Sequence, residues 1–131
     1  MKKVLFVCVE NAGRSQMAEA FAREYGIDSS SAGTLPSSRV NPLVVEVMKE
    51  RGINLSGYEP KGLTEKMIEE ANYIVTMGCS AQALCPRPLV VKMEKKLVDW
   101  HIEDTKGKSA DEIRRIMSQV EKQVLELTKK S

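Results

Sequence analysis

The sequence predicts an α/β fold: a single-domain, doubly wound sheet of four parallel strands flanked by helices. Three observations carry that expectation. Val4 to Val9 is an unbroken apolar run rich in valine, the pattern of a central parallel strand covered on both faces. The period then switches, and Met17, Ala18, Phe21, Ala22 and Tyr25 recur at helical spacing after a short loop. Further apolar runs of strand length alternate with amphipathic stretches along the rest of the chain.

Taken in order, the first helix is expected from about Ser15 to Tyr25 and a short second strand over Ile27 to Ser31. Gly33 and Pro36 mark the loop "SAGTLPSSRVNP" as irregular. Asn41 then caps a second helix, with Pro42 at its first position, Val44, Val45 and Met48 on its apolar face and Gly52 at its end. A third helix is expected over Thr64 to Ala71, a third strand over Asn72 to Met77, and a fourth over Pro88 to Met93. The final helix opens on a capping box of Ser109 and Glu112. Its stripe is Ile113, Ile116, Met117, Val120, Val124 and Leu127.

A chain of 131 residues with 42% hydrophobic content supports one core, so one domain over residues 1–131 is expected. A formal net charge of +2 gives no basic field, which argues against nucleic acid as a partner. Lys2 and Lys3 precede an apolar run that Glu10 and Asn11 cut short, too short for a secretory signal. No window approaches the roughly 18 apolar residues of a membrane span. A soluble, cytoplasmic monomer without membrane contact is the expectation. The cysteines, Cys8, Cys79 and Cys85, are odd in number, which favours reactive thiols over a disulfide framework.

In a doubly wound sheet, ligands sit at the carboxyl ends of the strands, where Cys8 and Cys79 follow the first and third. A cysteine six residues before an arginine is a weak signal alone, and a buried structural thiol is the competing reading. Context sharpens it. A loop between a buried strand and a helix start turns successive backbone N–H groups inward, and the helix dipole adds positive potential. Val9, Glu10, Asn11, Ala12, Gly13 and Arg14 would then cradle a tetrahedral oxyanion, with the Arg14 guanidinium as a fork for two of its oxygens. The same field favours the thiolate of Cys8, and Ser15 is placed to donate to that sulfur. Asn11 tolerates a left-handed conformation, and Gly13 lets the backbone come close to a ligand.

The segments "CVENAGRS" and "QMAEAF" resemble the phosphate-binding loop of low-molecular-weight protein tyrosine phosphatases, and more closely that of thioredoxin-coupled arsenate reductases of the same fold. The match continues through "SAGT", "VNP", "PKGLTEKM", "YIVTMGC", "CP", "DW" and "EDTKGK", nearly the whole chain. The resemblance implies a low-molecular-weight phosphatase-like domain with Cys8 as nucleophile, Asp104 as general acid, and no metal or cofactor beyond thioredoxin as electron donor. Glu103 is the alternative acid, with Asp99 the next carboxylate nearby. His101 reads as an ordinary surface or packing residue.

The cradle serves phosphate and arsenate alike, but arsenate reduction consumes two electrons and needs further thiols. The reductase resemblance implies a relay in which Cys79 attacks Cys8 and Cys85 then attacks Cys79, with Gly78, Ser80, Ala81 and Ala83 allowing the segment to move. Two other readings stay open: a phosphatase acting on phosphotyrosine or a simpler phosphomonoester, and a non-catalytic oxyanion-binding redox sensor.

Departures from the family pattern are informative. Gly13 stands where many members have a second cysteine. Thr105 replaces the proline after the acid, and the paired tyrosines that wall the phosphatase site are missing. Glu10 is expected to point away from the anion. Some reductases hold potassium through residues matching Asn11, Glu19 and Ser31 plus an aspartate, whose position is taken here by Lys61. Its ammonium is therefore expected to substitute for the ion.

Overall fold

Strand β1, Val4–Cys8, is buried along its whole length, and the alternation of its side chains divides the core in two. Val4, Phe6 and Cys8 join one apolar cluster, whereas Leu5 and Val7 join another with Ala32, Ile68, Ala71 and Ile74. A strand with helices on both sides has no polar face, hence its unbroken apolar run. The computed structural model describes residues 3–8, 10–34, 36–55, 57–77, 97–100, 102, 103, 105 and 107–130.

The elements that follow are α1 (Arg14–Glu24), β2 (Ser29–Gly33), α2 (Pro42–Glu50), α3 (Glu65–Glu70), β3 (Tyr73–Met77), β4 (Leu97–Trp100) and α4 (Ala110–Lys130). The four strands form one parallel sheet in the order β2-β1-β3-β4. This is the single-domain α/β sheet expected. Helices α1, α2 and α4 pack on the Phe6 face, and α3 contributes Ile68 to the Leu5 face. Because all strands run the same way, their carboxyl ends share one edge. Cys8 ends β1 there, opposite Gly33 of β2.

Local chemistry sets the boundaries. Asn41 caps α2 by accepting from the Leu43 N–H at 3.0 Å, and Thr64 caps α3 by accepting from the Met67 N–H at 3.2 Å. The capping box before α4 forms as expected: the Ser109 hydroxyl accepts from the Glu112 N–H and the Glu112 carboxylate from the Ser109 N–H, each at 3.2 Å. That backbone hydrogen bond, first among its causes, holds the Glu112 carboxyl below its usual pKa. Ile113, Ile116, Met117, Val120 and Val124 are buried, so the stripe is the packed face.

Two strands depart from expectation. β2 begins two residues later than expected because Ile27 belongs to the end of α1: its N–H donates to Ala22 O at 2.8 Å after Gly26 takes a φ of +80°. The expected strand at Pro88 to Met93 lies outside the described residues, and the fourth strand of the described sheet is Leu97–Trp100, which sequence periodicity did not mark. Among the described residues no helix is long and apolar enough to cross a membrane.

Replacing Ser109 by alanine removes one half of the capping box and should cost about 1 kcal/mol of unfolding free energy. Urea denaturation measures it, and an unchanged midpoint would show that α4 does not depend on its cap.

Candidate active site

The strand parity that sends Cys8 to the α1 side of the sheet aims its sulfur at the start of that helix. Ser15 Oγ lies 2.9 Å from Cys8 Sγ, and the Asn11 N–H donates to the sulfur at 3.2 Å. Asn11 bears on which partner of the Ser15 pair donates. The Lys61 N–H donates to Asn11 Oδ1 at 2.8 Å, and a backbone N–H can only donate, so Oδ1 is the acceptor end of the amide. Asn11 Nδ2 must then donate to Ser15 Oγ, at 2.6 Å, leaving the hydroxyl hydrogen for the sulfur. Asn11 holds this position with a φ of +52°, the left-handed conformation expected of it.

The direction of the loop amides follows from their carbonyls. Glu10 O accepts from the Ser37 N–H at 2.9 Å, Asn11 O from Gln16 Nε2 at 3.0 Å, and Ala12 O from the Asn41 N–H at 2.8 Å. In a planar trans peptide the N–H of the next residue points the opposite way. The N–H groups of Asn11, Ala12 and Gly13 are therefore turned away from these anchors, the first onto Cys8 Sγ. Ala12 and Gly13 line a cavity of about 300 Å³ together with Cys8, Glu10, Arg14 and Thr105. Ser37, Ser38, Arg39, Asn41 and Pro42 complete its described wall.

Arg14 is 5% exposed, and its Nη1 donates to the carbonyls of Met77 and, at 3.0 Å, Ile102. Those carbonyls end β3 and follow β4, so the sheet edge itself orients the guanidinium. Gly13 has a steric reason to lack a side chain: an added Cβ would lie 2.2 Å from Thr105 Oγ1. Thr105, the replacement for the family proline, is buried against the cradle. Glu10, expected to point away from the anion, is half-buried and is among the residues lining the cavity.

Glu103 does not line this cavity. It pairs with Arg115 of α4 at 3.0 Å and with Lys108 at 3.9 Å. Val9, Gly78, Cys79, Ser80, Ala81, Ala83, Cys85, His101 and Asp104 lie outside the described residues, as does the side chain of Asp99. Sequence reasoning missed the rim residues Ser37, Ser38 and Arg39 and the anchoring amide of Gln16. A serine-rich loop and a polar residue on a helix carry no local signal of those contacts.

Behind the cradle, Glu19 is 1% exposed and accepts from Ser31 Oγ at 2.6 Å. Arg23 lies 2.9 Å from its Oε2 and the Lys61 ammonium 3.8 Å from its Oε1. A carboxylate already facing two cations and a hydroxyl does not fit an added potassium ion.

These features define an oxyanion-binding thiol enzyme on a parallel α/β sheet. Residues 3–131 match the model of the low molecular weight phosphotyrosine protein phosphatase family. The chain belongs to that family and is an enzyme of it. It is 35% identical to the glutaredoxin arsenate reductase of Synechocystis over 99% of this chain and 98% of that one. A solved arsenate reductase in the phosphate-binding state is 35% identical, with a TM-score of 0.86 over 99% and 98% of the two chains. The thioredoxin-dependent arsenate reductase of Corynebacterium glutamicum is 38% identical, with a TM-score of 0.79, covering 99% of this chain and 61% of that one.

Gly13→Ala should weaken phosphate binding on the order of tenfold and destabilise the fold by about 1–3 kcal/mol through overpacking. Adding Thr105→Ala should recover most of both losses. Phosphate protection of Cys8 from iodoacetamide and thermal unfolding report them, and equal losses in the two backgrounds would refute the steric account.

Proposed function

We propose that this enzyme reduces arsenate to arsenite. The observation that carries the proposal is the cradle, with the Ala12 and Gly13 N–H groups turned toward the cavity and two donors converging on Cys8. The curated and solved relatives at 34–38% identity that bear the name arsenate reductase support arsenic over phosphorus as the reacting centre.

In this reading Cys8 attacks arsenic, and one arsenate oxygen leaves as water after protonation by Asp104. Arg14 and the loop amides hold the remaining oxygens. Cys79 then attacks Cys8 Sγ. The electron pair of the sulfur–arsenic bond passes to arsenic, which departs as arsenite, and a Cys8–Cys79 disulfide forms. Attack by Cys85 on Cys79 frees Cys8 and leaves a Cys79–Cys85 disulfide for a cytoplasmic dithiol protein to reduce. Thioredoxin is the proposed reductant, and the glutaredoxin named for the Synechocystis relative is the competitor to assay beside it. Lys61 supplies the positive charge that an alkali cation would otherwise bring to Glu19.

A phosphomonoesterase activity of the same site is a second reading. It is compatible with a cavity of about 300 Å³, larger than a bare oxyanion. A bare oxyanion needs roughly two to three waters' worth of space at about 30 Å³ each.

Peptide mapping by mass spectrometry after anaerobic arsenate treatment of the reduced protein tests the relay. A Cys79–Cys85 disulfide should appear with arsenate and not with phosphate, and three reduced thiols after arsenate would overturn the proposal. Cys79→Ser should abolish arsenate turnover while sparing phosphomonoester hydrolysis. For Lys61, thermal unfolding should be the same in potassium and sodium chloride. A markedly higher transition temperature in potassium would show that an ion still binds.

A further inference from the structure

The cavity at Cys8 is larger than an oxyanion, and its wall says what could fill the remainder. A volume of about 300 Å³ leaves room for a substituent beyond the oxyanion. None of its described lining residues is aromatic, so a phenyl or indole substituent would find no ring to stack on there. The wall outside the cradle instead carries two serine hydroxyls, from Ser37 and Ser38, and the guanidinium-bearing Arg39.

Arg39 differs from the other charged residues near the site. Arg14 is bonded to backbone carbonyls, and Glu10 has interactions of its own. Arg23 and Lys61 face Glu19, and Lys108 and Arg115 face Glu103. Arg39 is exposed at the cavity wall and has no ion pair among the described residues. Its loop is nevertheless anchored to the cradle, because the Ser37 and Asn41 N–H groups on either side of it donate to Glu10 O and Ala12 O. A cation exposed at the wall of an oxyanion cavity, with no ion pair among the described residues, is available to a second negative group on the same ligand.

We propose that the site favours phosphomonoesters with a carboxylate or similar anion on the substituent, and that Arg39 selects them by pairing with that distal charge. The inference rests on the reading of the Cys8 loop as an oxyanion cradle. It adds a substrate class for the phosphomonoesterase activity and a specificity-determining residue outside the catalytic set.

The test compares 2-phosphoglycolate with 2-methoxyethyl phosphate, a neutral-tailed ester of similar length. Each is titrated for protection of Cys8 against iodoacetamide, read by peptide mass spectrometry, with inorganic phosphate as the control. The parent enzyme should bind phosphoglycolate more tightly by about fivefold, the range of a solvent-accessible ion pair. Arg39→Gln should erase that preference, lowering protection by phosphoglycolate more than protection by inorganic phosphate. Equal protection by the two esters, or a preference that survives Arg39→Gln, would overturn the proposal. Failure of inorganic phosphate itself to protect Cys8 would instead show that the cradle reading underneath it is wrong.

Discussion

The active site depends on three carbonyl groups that point away from it. Peptide planarity makes the orientation of an N–H the inverse of the carbonyl before it, so the loop presents donors only while its carbonyls are held elsewhere. Ser37, Gln16 and Asn41 hold those of Glu10, Asn11 and Ala12. Two anchors are backbone groups of one distant loop, and the third is a side chain of α1. Preorganisation of the cradle is thus distributed over segments outside the loop itself. Such an arrangement avoids the cost of reorganising donors when charge develops on the bound anion.

Asn11 is restrained by several hydrogen bonds at once. Its Oδ1 accepts from Lys61 and Gln16, its Nδ2 donates to Ser15, and its N–H reaches Cys8. Each bond constrains the next, so the orientation of the Ser15 hydroxyl is decided by the backbone of residue 61. A buried network of this kind rigidifies only when every link is satisfied. Asn11, Ser15 and Gln16 are all fully buried, which keeps water from competing for their bonds, although Gln16 Oε1 has no hydrogen-bond partner among the described residues.

How much of this could be read beforehand follows from the range of the interactions. β1, α1, α2 and α4 were legible because caps, periodicity and an unbroken apolar run are local. β2 was displaced because its serines have little strand character; they pair with β1, and Ser31 binds Glu19, a tertiary contact. β4 was missed because four residues leave little period to detect, and Val98 on it is exposed. In the site, Cys8, Asn11, Gly13, Arg14 and Ser15 were legible because they are nearly contiguous. The anchoring by Gln16 and Ser37, the fit of Thr105 against Gly13 and the place of Arg39 arise only from packing between distant segments.

Arg14 joins the anion site to the part of the chain that would carry the redox chemistry. β3 is the direct neighbour of β1, with Thr76 paired to Val7, so the chain leaves β3 beside the strand that ends in Cys8. Arg14 Nη1 donates to the carbonyl of Met77, the last residue of β3, and Cys79 follows two positions later in sequence. The two hydrogens of that nitrogen are matched by the carbonyls of Met77 and Ile102, so one edge of the guanidinium is committed to the backbone. The residue expected to clamp the oxyanion is therefore also the one that fastens the exit of β3. An arginine in this position couples two requirements of a thiol relay: a held anion, and a fixed point from which the second thiol must reach the first.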